Sequence, residues 1–354
     1  MTDAHTFRSA HDSHAIDAVR LADYLNTHGM HMAPGQEIRQ FATGLANINY
    51  RLTVDGRDVV LRRPPDGDLP PGAHDMKREH RVLSNLSQVF KPAPDSIHLC
   101  EDRAILGVPF QIMEYRPGRV IKGDDRSFIG NDTSRTTRIG EMLVDTMTAL
   151  HNVDVASAGL ADFGRPEGFI ERAIKGWRTR ADRLEPQGDM KRLVDEISGW
   201  LEGRTTQARA PTLLHCDLKL DNCILDPDTL SLRAIVDWDM GTRGDPLFDL
   251  ATMTSYWTEA DDPECMHRMA QMPTAAPGFQ TRAEVVAMYA KETGRDVSDF
   301  PVLRVLCMFK LATVFHQLFT TYGKGPDARS DYLEFDQLSL DMYAFTHATM
   351  RDAG

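Results

Sequence analysis

His215-Cys-Asp217-Leu-Lys-Leu-Asp-Asn222, followed by Ile235-Val-Asp237-Trp-Asp239, places an aspartate, an asparagine five residues later and a second aspartate closing a short apolar run. Transfer of a phosphoryl group needs this set. One carboxylate must orient a hydroxyl nucleophile and accept its proton, while an amide oxygen and another carboxylate hold the magnesium that neutralises the nucleoside triphosphate. Asp217, Asn222 and Asp237 fill those roles in chain order. Singly they say little, since an aspartate in a loop is more often a turn residue or a helix cap.

The elements around the triad give the pattern its weight. Leu213-Leu214 leads into the loop and Cys223-Ile-Leu225 follows it. Asp226-Pro-Asp228 turns into the strand-like Leu232-Arg-Ala-Ile-Val236. The spacing predicts a strand, a catalytic loop, a hairpin and a metal-binding aspartate at a strand end.

With these residues the chain resembles the aminoglycoside-phosphotransferase and choline-kinase-like family, the small-molecule branch of the protein-kinase-like fold. Gly244-Asp-Pro-Leu-Phe-Asp249-Leu-Ala251 is similar to the family's Gly-Asp-Pro-x-x-Asp-Leu-Ala run. The resemblance implies that Asp249 opens a helix under the catalytic loop and braces it. It also implies a bilobal α+β fold, with a small antiparallel-sheet N-terminal lobe over residues 1–115 that binds ATP. A larger, mainly helical lobe over residues 116–354 would carry catalysis and substrate.

The first lobe reads in the expected order. Residues 14–28 have helical periodicity, with Gly29 beyond their end, and strands are expected at 37–41, 48–54 and 58–63. Asp55-Gly56 marks a hairpin between the last two. Thr43-Gly44-Leu-Ala-Asn47 stands where the family covers the ATP phosphates, and it partly matches the Gly-Gly-x-Ser-Asn form of that loop, making Gly44 and Asn47 candidate phosphate contacts. Val59-Val-Leu-Arg62 matches the kinase Val-Ala-Ile-Lys strand with arginine for lysine. Arginine keeps the charge and changes the geometry. Strand alternation puts Arg62 rather than Arg63 on the phosphate side. Glu79, on the helix that follows, stands where the family pairs a carboxylate with that cation. Val108 to Gly118 reads as an apolar strand ending in a Pro-Gly turn, similar to the hinge whose backbone meets adenine at Glu114 and Arg116.

The second lobe reads as helical over 134–151 and 167–184. The latter carries an apolar stripe flanked by Arg172, Lys175 and Arg178, either a core-facing helix with a solvated flank or a surface for an anionic substrate. Thr281-Arg-Ala-Glu284 is a capping box for a helix that Gly294 closes, and Pro301 starts another. Lys219, two residues after the base, is placed to steady the transferring phosphate.

Bulk properties narrow the field. A net charge of −12 argues against nonspecific nucleic-acid binding. Five scattered cysteines without paired spacing give neither a zinc site nor a disulfide framework. The opening residues carry no charged-then-apolar leader pattern, and no apolar run has the length of a membrane span, so a cytoplasmic setting is expected. Only 12 residues separate Asp237 from Asp249, too few for a protein kinase's activation segment, so a small-molecule kinase is expected.

Arg62-Arg-Pro-Pro65, Arg165-Pro-Glu-Gly168 with Trp177, and Phe309-Lys-Leu-Ala312 resemble the kinase-like domains associated with acyl-CoA dehydrogenases. That resemblance implies a hydroxyl acceptor from acyl metabolism, such as a hydroxyacyl-CoA. The readings left open are an aminoglycoside, choline, homoserine or sugar kinase, a nucleotidyl transferase, and a catalytically silent nucleotide-binding protein on the same fold.

Overall fold

The computed structural model describes residues 7–9, 11–42, 47–67, 74–130, 132–325 and 328–353. The chain divides into two compact units. The first holds residues 1–118, 156–160 and 233–241, and the second holds 119–155, 161–232 and 242–354.

The first unit is built on five antiparallel strands. In chain order its elements are α1 (Ala18–Thr27), β1 (Arg39–Gln40), β2 (Ile48–Val54), β3 (Arg57–Arg63), α2 (Met76–Leu86), β4 (Ser96–Cys100), α3 (Arg103–Leu106) and β5 (Phe110–Glu114). The sheet order is β1-β2-β3-β5-β4. Asp55 and Gly56, with φ of 50° and 72°, make the expected tight turn, and β2 pairs with β3 from Ile48↔Arg63 to Val54↔Arg57. One sheet face carries Tyr50, Leu52, Leu61 and Ile112 into a core shared with Leu21 and Leu25 of α1. Helix α2 packs on β4 and β5 through an amphipathic face that buries Val82, Leu83 and Leu86, and Glu79 with them.

Two boundaries differ from expectation for a local reason. Asp17 accepts the Arg20 amide at 2.9 Å and caps α1 there, so the helix starts later than residue 14. The first expected strand is reduced to Arg39 and Gln40, which pair with β2, and the Phe41 amide beyond them donates to the Asn49 carbonyl at 2.9 Å.

The second unit is mainly helical. Its elements are α4 (Thr133–His151), α5 (Phe169–Arg183), α6 (Gly188–Glu202), β6 (Thr212–Leu214) and β7 (Cys223–Leu225). After β8 (Leu232–Ile235), which leads the chain back into the first unit, come β9 (Thr242–Gly244), α7 (Pro246–Ser255), α8 (Glu264–Met269), α9 (Arg282–Thr293), α10 (Phe300–Tyr322) and α11 (Phe335–Asp352). Strands β6 and β9 pair antiparallel. Helix α10 packs against α7, α5 and α11 at the centre of the unit. Against the expectation that no apolar run has that length, it is long and apolar enough to span a membrane by length and composition, and it is mostly buried within this fold. Thr281 and Glu284 make both bonds of the predicted capping box, and Gly294 closes α9 at φ 67°.

The basic flank of α5 is occupied locally. Arg178 pairs with Asp182 and Asp195, and Arg172 donates to the carbonyls of Arg165 and Glu167. Ile170, Ile174 and Ala181 are buried, which supports the reading of α5 as a core-facing helix.

Candidate active site

The second unit contributes a loop held from several sides. Strand β6 is fully buried and delivers His215 and Cys216. Cys216 has a left-handed φ of 66°, unfavourable for a residue with a Cβ. Both its peptide groups are tied. Asp249 on α7 accepts the His215 amide on Oδ2 and the Cys216 amide on Oδ1, each at 2.7 Å. The carbonyl of Cys216 accepts Lys310 Nζ of α10 at 2.9 Å. Asp249 is buried, which pushes its pKa up, but hydrogen bonding and charge from His151 and His215 outweigh this and hold it below the usual carboxylate range. His151 in turn is fixed by the Tyr289 hydroxyl at 2.8 Å.

Asp217 follows, with a partner on each carboxylate oxygen. The Tyr256 hydroxyl donates to Oδ1 at 2.5 Å, and Asn222 Nδ2 donates to Oδ2 at 3.1 Å. The same Asn222 nitrogen donates to the Asp217 carbonyl at 2.8 Å, across the single 3₁₀ turn Leu220–Asn222. With its NH₂ committed to Asp217, Asn222 has its amide oxygen as the atom suited to a hard cation. Burial and the Asp217 carboxylate push the Tyr256 phenol well above its ordinary pKa, so it stays a donor. Lys219 donates to Gln271 Oε1 at 3.0 Å, and its ammonium lies 4.9 Å from the centre of the Tyr256 ring. Asp221 accepts the Gly123 amide at 3.0 Å, and burial raises its pKa.

The first unit holds a second cluster. Arg62 on β3 donates Nε to Glu79 Oε2 at 2.7 Å and an Nη to Asp237 Oδ1. Glu79 is fully buried and also accepts Gln111 Nε2 at 2.7 Å and the Trp238 amide at 3.1 Å. Burial pushes Glu79 up and Arg62 pulls it back, with the balance above the ordinary value. Burial alone would lower the Arg62 pKa, but Glu79 and Asp237 reverse this and raise it. Asp237 has a left-handed φ of 70° and a partly exposed carboxylate, an oxygen donor of the kind magnesium takes one or two of beside phosphates and waters. Among the described residues no group of three or more His, Cys, Asp or Glu is placed to hold a metal.

Of the other expected residues, Asn47 is buried at the start of β2 and meets His74. The Glu114 side chain pairs with Arg116 at 2.6 Å, and its amide donates to Asp95 O at 2.8 Å. Gly44 lies outside the described residues. Tyr256, Lys310, Gln271 and Gln111 join the two clusters without having been singled out from the sequence. Lys310 carried a signal, as the lone cation in the apolar run from Val305 to Phe315. Tyr256 carried none, because an aromatic at a helix end reads as core.

The chain matches the model of the phosphotransferase enzyme family over residues 37–285. It is 30% identical over 295 residues to acyl-CoA dehydrogenase family member 10 of Mus musculus, covering 82% of this chain and 27% of that protein. It is 28% identical over 325 residues to acyl-CoA dehydrogenase family member 11 of Rattus norvegicus, covering 90% of this chain and 41% of the relative. The chain therefore spans less than half of the length of these two relatives. A solved structure of a candidate aminoglycoside phosphotransferase from Ralstonia eutropha superposes with a TM-score of 0.80 at 25% identity, covering 96% of this chain and all of that one. The chain has the protein-kinase-like fold and belongs to the phosphotransferase enzyme family.

Proposed function

We propose that this enzyme transfers the γ-phosphoryl group of ATP to the hydroxyl of an acyl metabolite, a hydroxyacyl-CoA being the acceptor class. The observation that carries the kinase reading is the bonding of Asp217. Its carboxylate is steered by Asn222 from one side and already receives a hydroxyl, that of Tyr256, at 2.5 Å on the other. A substrate hydroxyl would share Oδ1 in the same way, since a carboxylate oxygen has two acceptor sites. As the acceptor oxygen bonds to the γ-phosphorus, the bond from phosphorus to the β-bridging oxygen breaks. The hydroxyl proton passes to Asp217, and ADP leaves.

In this reading residues 1–115 serve the nucleotide, together with Asp237, and 116–354 serve the acceptor. Asn222 and Asp237 hold Mg²⁺, which supplies charge neutralisation on the phosphates. Arg62, oriented by Glu79, contacts phosphate oxygens, with Gly44 and Asn47 of the preceding loop. The carbonyl of Glu114 and the amide of Arg116 meet adenine, because the Glu114 amide is committed to Asp95. Lys219, held by Gln271 beside the Tyr256 ring, steadies the transferring group. The acyl acceptor is supported by the acyl-CoA dehydrogenase relatives, of which this chain matches one part.

The test is release of ADP and of pyrophosphate from Mg-ATP over a panel of hydroxyacyl-CoAs, choline, homoserine, sugars and an aminoglycoside. ADP release that depends on a hydroxyacyl-CoA and is lost in Asp217→Asn is the expected result. Pyrophosphate release would replace the kinase by a nucleotidyl transferase. ADP release with another acceptor alone would overturn the acyl assignment.

A further inference from the structure

His74 immediately precedes Asp75, the N-cap of α2, and holds a left-handed φ of 56°. Such a conformation persists in a residue with a side chain when its surroundings require it. Its Nδ1 is 2.9 Å from Oδ1 of Asn47. Asn47 is only 3% exposed, and its Nδ2 is a buried donor with no hydrogen-bond partner among the described residues. Buried donors without partners are few in native proteins, and one at a functional site points to a ligand.

The surroundings indicate which ligand. Asn47 leads directly into Ile48 and Asn49, which lie opposite Arg63 and Arg62 in the β2–β3 register, and Asn49 Oδ1 accepts from Arg62 at 3.4 Å. The charges acting on the His74 imidazole are those of Arg62 and Asp237; burial first and then Arg62 lower its pKa, and Asp237 offsets them only in part. Arg62 meanwhile spends Nε and one Nη on Glu79 and Asp237. A polyphosphate approaching Arg62 would therefore find few of its five donors uncommitted and would need others.

We propose that His74 and Asn47 form a paired phosphate contact beside Arg62, Asn47 donating through Nδ2 and His74 through the ring nitrogen not turned to Asn47. The ligand is the polyphosphate of a nucleoside triphosphate, and the inference rests on the nucleotide-site reading above. An imidazole donates through both nitrogens as its cation, the form that a bound phosphate favours.

The test is calorimetric binding of Mg-AMP-PNP and of adenosine to the full chain and to His74→Ala and His74→Asn. Asparagine can keep the contact with Asn47 but lacks the distal ring nitrogen. Both variants should lose roughly ten- to hundredfold in affinity for Mg-AMP-PNP, the range of one charge-assisted hydrogen bond, with adenosine affinity unchanged. Wild-type affinity for Mg-AMP-PNP in His74→Asn would overturn the proposal, because the ring would then only buttress Asn47. Equal losses for adenosine and Mg-AMP-PNP would overturn it too, as the mark of a structural role. Binding of neither ligand by the wild type would remove the nucleotide site itself, whereas wild-type binding with unaffected variants removes only the His74 contact.

Discussion

Replacing Asp249 by asparagine tests whether the catalytic loop is held by one buried carboxylate. Each of its oxygens accepts a backbone amide at 2.7 Å, from His215 and from Cys216. Asparagine has one oxygen. One amide keeps a neutral acceptor, at a loss of about 1 kcal/mol, and the other faces an NH₂ group and goes unsatisfied, at about 1–3 kcal/mol. The sum, about 2–4 kcal/mol, is a change of roughly thirty- to several-hundredfold in the equilibrium for local opening. The affected segment is already unfavourable, with Cys216 at φ 66°. Native-state hydrogen exchange reads this directly. The amides of His215 and Cys216 should exchange faster by that factor in Asp249→Asn, with little change in β3 or α2. Cys216→Gly, which removes the left-handed penalty of about 1–2 kcal/mol, should restore part of the protection. Unchanged exchange at His215 and Cys216 in Asp249→Asn would refute the account, since those two hydrogen bonds could not then be what orders the loop.

Two further outcomes follow from the same geometry. Arg62→Ala strands a fully buried Glu79 carboxylate and should cost about 3–5 kcal/mol in denaturant unfolding, with Arg62→Lys milder because an ammonium can meet Glu79 but cannot fork to Asp237. Tyr256→Phe deletes the donor on Asp217 Oδ1 while keeping the ring beside Lys219, and should lower kcat about tenfold or more with the KM for ATP unchanged; an unaltered kcat would show that Asp217 is oriented without Tyr256.

The parts of this molecule legible in the sequence are those governed by short-range rules. Asp55-Gly56 can form only a tight turn between strands, Thr281 and Glu284 cap a helix three residues apart, and α4 and α5 follow their apolar periodicity. The bracing of the loop by Asp249 was legible too, from a motif contained in one short run. The elements that escaped are short or lack a flanking motif. Strand β9 has only three residues, and its pairing with β6 joins segments about thirty residues apart. Helix α6 carries no flanking motif, although its apolar residues recur at helical spacing. The site residues that escaped are those whose role is set by distance in space. Gln111 reaches Glu79 from a strand 32 residues away, and Lys310 reaches Cys216 from 94 residues away. Nothing in a linear pattern distinguishes Gln111 from a core residue of the same type, and the isolation of Lys310 in an apolar run marks it without naming its partner.

Helix α7 explains why one short segment governs so much of the loop. Asp249 and Tyr256 are seven residues apart, close to two turns at 3.6 residues per turn, so both lie on one face with a rise of about 10 Å between them. The first grips the backbone at His215 and Cys216, and the second grips the side chain of Asp217. The helix is buried along its whole length and is seated on α10, which supplies Lys310 to the opposite side of the Cys216 peptide. The orientation of the Asp217 carboxylate is thereby set by rigid elements rather than by the loop's own preferences, and that is the condition under which a non-glycine residue can hold a left-handed conformation just before it. A tilt of α7 of even a few degrees would move the Tyr256 hydroxyl and the Asp249 carboxylate by different amounts, because they sit at different heights along the axis. Tight packing of α7 against α10 is therefore itself a catalytic requirement in this reading: substitutions at their buried contact, far from any phosphate, should act on turnover through Asp217 before they act on nucleotide affinity.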